Sequence, residues 1–303
     1  MSSVLFDAYH GIGDQIYMRP FILAAQEQYD DVYVVTDFPK TLYEGTGIKP
    51  IFKASKWKTQ TECAELEKEY FVEPLPRYDK VLRPCYTGSF RVDKNKPVTQ
   101  VLEEQTGLTP KNFHSLQVQD EWIDKALSFV KTDKPICFLR LPTVRNEWKC
   151  FSRNGKMGYF NFLIKHRIRP HFYTVSSLDL RNGLEWLDGD MPEVDLMLHE
   201  NELGVDGMIG LLKVSAFCLS IPCNTLPICA DIGTPLFLIY GGHVHHNFLL
   251  DPRMDTGKIT AMQPSPFCNC MSNNHQCNKE VDTGVLSRTF NAFIRREVTC
   301  LSA

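Results

Sequence analysis

The sequence predicts an α/β protein made of two domains that each alternate strands with helices, and three observations carry that prediction. First, 303 residues exceed the usual size of a single domain, so two are expected. Second, VLFDAY (4–9), a glycine-rich turn, a helical pattern from Asp14 to Gln28 and DVYVVTD (31–37) follow one another as strand, turn, helix and strand. A βαβ run of this kind means a parallel sheet with a right-handed crossover. Third, the alternation starts afresh at ICFLRLP (136–142), after a helix stopped by Pro135.

Each element has its own signal. The first helix rests on the spacing of Ile16, Phe21, Ile22, Leu23 and Ala25. KVLRPC (80–85) reads as a strand and VTQVLEEQTGL (98–108) as a helix ended by Gly107. DEWIDKALSFVKTDKP (120–135) is a further helix, and a boundary near residue 125 separates an N-terminal domain, 1–125, from a C-terminal domain, 126–303. There the pattern predicts helices at YFNFLIKHR (159–167), GLEWL (183–187) and DGMIGLLKVS (206–215), with a strand at HFYTVSS (171–177). AFCLSI (216–221) and PLFLIYGG (235–242) are strands flanking the helix PICADIG (227–233). Residues 243 to 282 are polar and rich in histidine and cysteine, and GVLSRTFNAFIRREV (284–298) closes the chain as an amphipathic helix with Leu286, Phe290 and Phe293 on one face. The expected architecture is two Rossmann-like βαβ domains facing across a cleft, with the ligand site between the carboxyl ends of their strands.

Composition narrows the function. With 43% hydrophobic and 23% charged residues the chain is an ordinary globular protein. Net charge is −3, and residues 1–125 hold 15 Lys and Arg against 19 Asp and Glu, so no basic half points to nucleic acid. The basic runs KASKWK (53–58) and KHRIRPH (165–171) read first as solvated faces. MSSVLFDAYHG lacks the basic and apolar regions of a secretory leader, and no membrane-spanning apolar run follows, so the chain is expected in the cytoplasm of a bacterial or phage-infected cell. Eleven cysteines, an odd number and mostly scattered, suit reduced thiols better than a disulfide framework.

The glycine turn, HGIGD (10–14), looks like a phosphate cradle but carries a carboxylate. A dinucleotide fingerprint needs a third glycine where this chain has Ile16, and Asp14 would repel a phosphate bound at the turn. What the turn offers instead is a carboxylate held at the mouth of the cleft, expected to be kept ionised by the helix dipole and free N–H groups, and so able to act as a general base. Asp after a strand also serves as a plain helix N-cap.

HGIGDQIYMRPFILAAQEQY resembles the opening of the ADP-heptose type of glycosyltransferase, family 9 with GT-B architecture, where a glycine turn and an aspartate are followed by a proline six residues on, here Pro20. FCLSIPCNTLPICADIGTPLFLIYGG (217–242) resembles that family's donor segment, and ICFLRLPTVRNEWK (136–149) its first donor-domain strand with a basic residue beside tryptophan. The resemblance implies inverting transfer of a sugar from a nucleotide-sugar donor to an acceptor hydroxyl, with no divalent metal required. It implies Asp14 as the base, with Gly11, Gly13 and Gln15 forming the acceptor-side loop. Arg145 or Lys149, beside Trp148, would neutralise the donor diphosphate, with Arg153 and Lys156 competing for that role, and the Asn224–Thr225 turn and the helix after it would hold the pyrophosphate. The chain departs from the family at Pro222-Cys223-Asn224-Thr225 and at Pro227, where an Asp-Thr-Gly turn and a histidine are usual, so heptose does not follow as the sugar.

Two clusters remain. His243, His245 and His246 in GGHVHHNF (241–248) follow the last donor-domain strand, where His243 could reach the diphosphate; a polar loop is an equal reading. Cys268, Cys270, His275 and Cys277 place four soft ligands within ten residues, the composition of a small structural zinc or iron clip, with Cys300 as an alternative fourth ligand. Some members of the resembled group carry such a C-terminal cysteine cluster. Reduced surface thiols are the competing reading.

The acceptor is open between an envelope saccharide and a hydroxymethylated base in phage DNA, which Lys53, Lys56, Lys58, Arg83 and Arg91 could track through its phosphates. A nicotinamide-dependent oxidoreductase would share the tandem βα pattern but not the third glycine. A non-catalytic sugar-nucleotide-binding protein on the same scaffold is the third class.

Overall fold

The computed structural model describes residues 2–8, 11–53, 57–86, 96–183, 185–273 and 275–298. Lys56, Arg91 and Cys300 lie outside them. The chain divides into two compact units, Met1–Leu116 with Asn247–Met254, and Gln117–His246 with Asp255–Ala303.

The first unit begins with β1 (Ser3–Phe6), a fully buried apolar strand, then α1 (Ile12–Ala24), β2 (Asp31–Val35), the short α2 (Pro39–Tyr43), β3 (Lys49–Ile51), α3 (Lys58–Leu66), β4 (Lys80–Leu82) and α4 (Val98–Thr106). The sheet order is β3-β2-β1-β4 and every pair is parallel, with Val4 opposite both Val32 and Lys80. From β1 the chain runs outward to β3 and then returns to the other side of β1. The carboxyl end of β1 is therefore a topological switch point, where open α/β sheets bind ligands. Residues Gln15 to Ile22 of α1 are all buried. That includes Arg19, whose Nε donates to Leu42 O at 2.7 Å, so this buried guanidinium is hydrogen-bonded as burial demands. As the sequence predicts, α4 ends at Gly107, whose φ of 72° is the left-handed conformation that glycine adopts freely.

The second unit opens with α5 (Asp120–Phe129), β5 (Ile136–Arg140), β6 (Thr143–Arg145), α6 (Met157–Leu163), β7 (Tyr173–Ser177), β8 (Glu185–Leu187), β9 (Leu196–Leu198) and α7 (Gly204–Val214). It continues with β10 (Phe217–Ser220), α8 (Thr225–Ile232), β11 (Leu236–Ile239), the single turn α9 (His246–Leu249), β12 (Ile259–Met262) and α10 (Thr283–Glu297). Its parallel sheet has the order β12-β11-β10-β5-β7-β9, so the switch point is at the carboxyl ends of β5 and β10, where Ser220 lies opposite Arg140. Phe217 and Phe237 project onto Phe290 and Phe293 of α10 with ring centroids 5.1–5.9 Å apart, the edge-on geometry that aromatic rings favour. α5 belongs here because it packs on α7 so closely that a Cβ on Gly210 would strike the Trp122 backbone.

One expected helix is a strand. Within GLEWL, Glu185–Leu187 form β8, antiparallel to β6 with Trp186 opposite Val144. Five residues are too few to nucleate a helix unaided, and the buried Glu185 is drawn instead to two arginines. No helix among the described residues is long and apolar enough to cross a membrane.

Candidate functional site

Gly11 caps α1 in an extended conformation, Gly13 lies in the first turn, and Asp14 is its first acidic residue. The Asp14 carboxylate folds back over Gly11, where a Cβ would lie 2.6 Å from Oδ2, so a side chain there would push the carboxylate aside. Asp14 Oδ1 accepts a hydrogen bond from the Tyr86 hydroxyl. Tyr86 is held by edge-on packing against Tyr17, with centroids 6.3 Å apart, and by Phe248, which the segment Asn247–Met254 brings into this unit. Burial drives the Asp14 pKa up to about 6, with the Tyr86 hydrogen bond working against it. This differs from the expectation that the helix dipole keeps it low, because desolvation outweighs the donors. A carboxylate poised near 6 is still ionised at neutral pH and is a far better base than one near 4.

Gln15 turns away from the loop. Its Nε2 donates to Val35 O at 3.1 Å and its Oε1 accepts from the Tyr43 hydroxyl at 3.0 Å, both in the core. Lys53 and Arg83 of the basic patch share the single Asp7 carboxylate, at 2.6 and 3.1 Å, which offsets one of their two charges.

In the second unit, the predicted cations part company. Arg145 is held by Glu185, as is Arg140, at 3.1 and 3.2 Å. Burial raises the Glu185 pKa, but the two guanidinium groups and Thr143 outweigh that and leave it below its ordinary value. Lys156 is exposed and paired with Glu280. Lys149 is exposed at the surface. Arg153, by contrast, lies over the Trp148 ring with its guanidinium carbon 4.6 Å from the centroid, and its buried Nε has no hydrogen-bond partner among the described residues. Burial lowers its pKa, yet a guanidinium stays charged. Cys223, at the start of the 223–225 turn, lies within electrostatic reach of it.

Asn224 caps α8, and the Thr225 hydroxyl is engaged by Ser220 Oγ at 2.6 Å. Leu226 N–H already donates to Cys223 O, and Pro227 has no N–H, so α8 presents a reduced set of backbone donors. His243 does join the arginine. Its Nδ1 is 3.1 Å from Ser152 Oγ and its ring stands edge-on to Trp148. His245 and His246 stack on one another, 4.3 Å between centroids.

The ligand atoms of Cys268, Cys270, His275 and Cys277 all lie within 4.8 Å of one another. Cys270 and Cys277 sulfurs are 3.4 Å apart, and His275 Nδ1 is 3.4 and 3.3 Å from Cys268 and Cys277. A tetrahedral ion with metal–sulfur bonds of ~2.3 Å requires sulfur–sulfur edges of about 3.8 Å, so the four groups fit an ion with little movement. Burial and the neighbouring thiols push Cys277 up to about 12, so only a bound cation would let these sulfurs ionise together. This loop also braces the histidine loop. Met271 N donates to His243 O at 2.7 Å, Ser152 Oγ to Ser272 O at 2.7 Å, and a Cβ on Gly242 would overlap Cys277.

Sequence reasoning missed Tyr86, for which its neighbours in the chain offer no signal; only the fold brings it to Asp14.

No protein-family model and no curated protein sequence matches this chain. Solved structures do. The glycosyl transferase family 9 protein of Veillonella parvula superposes with a TM-score of 0.65 at 13% identity over 97% of both chains. ADP-heptose LPS heptosyltransferase II of E. coli gives 0.66 at 13% identity over 98% of this chain and 99% of that one. The iron-containing dodecameric glycosyltransferase TibC of enterotoxigenic E. coli gives 0.65 at 11% identity over 97% of this chain and 76% of that one. The chain thus has a glycosyltransferase-like fold, the one shared by these family 9 and heptosyltransferase structures.

Proposed function

We propose that the protein is an inverting glycosyltransferase that moves a sugar from a nucleotide-sugar donor to an acceptor hydroxyl. The observation that carries this reading is a half-buried carboxylate, Asp14, hydrogen-bonded to Tyr86 and raised to a pKa near 6, at the switch point of a parallel sheet in a chain with a glycosyltransferase-like fold. Asp14 takes the proton of the acceptor hydroxyl as its oxygen attacks the anomeric carbon from the side opposite the leaving group. The bond from that carbon to the phosphate oxygen breaks, and the nucleoside diphosphate leaves with the electron pair.

Charge grows on the diphosphate as it departs, and a cation already in place lowers that barrier without a divalent metal. Of the candidates, Arg153 suits the task best, because Arg145 and Lys156 are already engaged by Glu185 and Glu280. Lys149, His243 and the Asn224–Thr225 end of α8 complete the donor side. Donors of the ADP-sugar class are the first to test, since E. coli heptosyltransferase II takes its name from ADP-heptose. The acceptor is a saccharide hydroxyl in preference to a base in DNA, since Asp7 already engages Lys53 and Arg83.

Cys268, Cys270, His275 and Cys277 would hold a structural zinc or iron ion; TibC is iron-containing. Such an ion would cross-link the loop and, with its shell filled by protein, take no part in the transfer.

Thermal unfolding of the purified protein with nucleoside diphosphates, nucleotide sugars, NAD and NADP tests the reading. A raised midpoint with one diphosphate in the absence of magnesium supports it, because a ligand that binds only the folded state stabilises it. Stabilisation by NAD or NADP alone would overturn it in favour of an oxidoreductase.

A further inference from the structure

The basic run KHRIRPH (165–171) supplies none of the residues placed above on the donor or acceptor side. In the structure α6 runs on into a π-helical stretch, Ile164–Ile168, a wide turn that recurs at functional sites. Between this stretch and α10 lies an open pocket of about 260 Å³. Its rim carries His166, Arg167, His171 and Arg295. Its floor is apolar, made by Phe172, Phe290 and Ile294. No carboxylate lines it, and among the described residues no carboxylate pairs with Arg167 or Arg295; Arg167 donates only to Ser287 Oγ, at 3.0 Å. The neighbouring acids are occupied, Glu193 by Arg169 and Glu297 by Arg296.

The pocket stands apart from the donor groups. His171 and Phe172 immediately precede the amino end of β7, whereas Arg153 and the 223–225 turn follow the carboxyl ends of β5 and β10, and these strands are parallel. Four side chains able to carry positive charge, uncompensated and set over aromatic and aliphatic carbon, recognise an anion that has an apolar portion. The two guanidinium forks match the geometry of a phosphate.

We propose that this pocket is a second, separate binding site, for a ligand that carries a phosphate monoester on an apolar stem. A soluble phosphate ester and a membrane phospholipid share that chemistry. The test uses phenyl phosphate, followed by calorimetry, and phosphatidylcholine vesicles with and without phosphatidic acid, followed by flotation. Wild type is compared with Arg167→Gln/Arg295→Gln, two exposed positions whose exchange leaves the thermal midpoint unchanged. Binding to phenyl phosphate that falls about tenfold or more in the double variant supports the site and marks a soluble ligand. Retention on the acidic vesicles alone, lost in the double variant, supports it and marks a phospholipid. Equal binding by wild type and double variant would place the phosphate elsewhere and overturn the proposal, as would failure of both probes to bind.

Discussion

Asp14 is under two opposed demands. The proposed role as a base needs it ionised, while its burial favours the neutral acid, and the balance at about 6 has measurable consequences. The folded pKa lies above the ordinary 3.8, so the folded state holds its proton more tightly than the unfolded chain, and stability falls as pH rises from about 4 to 6. Above that window the ionised carboxylate costs about 3 kcal/mol of folding stability. Asp14→Asn is therefore expected to raise the unfolding midpoint at pH 8 but not at pH 4, while turnover drops by about 10²–10⁴-fold, the usual worth of a general base. Calorimetry at the two pH values and a diphosphate-release assay check both parts. Tyr86→Phe removes the donor that lowers the Asp14 pKa. The acid limb of kcat/KM, expected near pH 6 in the wild type, should move to higher pH, and the pH–rate profile shows whether it does. Asp14 was legible from the glycine turn alone. Tyr86 was not, because it lies 72 residues away and reaches the carboxylate only through the folding of the sheet.

Glu185 shows how an element can override a local pattern. GLEWL has the look of a helical turn, but Glu185 binds Arg140 and Arg145 from a buried position, and that pairing requires β8 to lie flat against β6. Glu185→Ala should leave two arginines uncompensated and destabilise the protein by about 3–5 kcal/mol, read from denaturant unfolding. Arg153→Gln breaks no ion pair among the described residues, so it should lower affinity for a nucleoside diphosphate about tenfold with little change in the unfolding midpoint. Titration of both variants with the diphosphate separates the structural part expected of Glu185 from the donor-binding part proposed for Arg153. The cysteine loop is a third case. Because Met271 N–H donates to His243 O and Ser272 O accepts from Ser152 Oγ, metal removal is expected to loosen residues 241–246. Hydrogen exchange before and after chelation would show faster exchange there if the loop depends on the ion, and unchanged exchange if it does not.

Over the whole molecule, each unit has its own parallel sheet and its own switch point, and the two carry different chemistry. The predicted cations of the donor side all belong to the second unit, so a bound nucleoside diphosphate should slow amide exchange in the loops at 141–156 and 221–225 and leave β1 and α1 unchanged. Protection confined to the glycine turn would contradict that assignment. By itself the sequence determined the α/β class, the order of most strands and helices, the carboxylate in the first glycine turn and the cysteine and histidine cluster. These are local patterns, set by apolar periodicity, turn residues and close spacing. The three-residue strands β3 and β9 and the four-residue β12 escaped it, since so short a run has little periodicity to read. Only the tertiary structure decided that Asn247–Met254 returns to the first unit, that Tyr86 meets Asp14, and that Arg145 is paired with Glu185 while the buried Nε of Arg153 has no hydrogen-bond partner among the described residues. Each of those depends on which distant groups a side chain meets once it is buried, and pairing across a fold leaves no mark on the residues beside it in the chain.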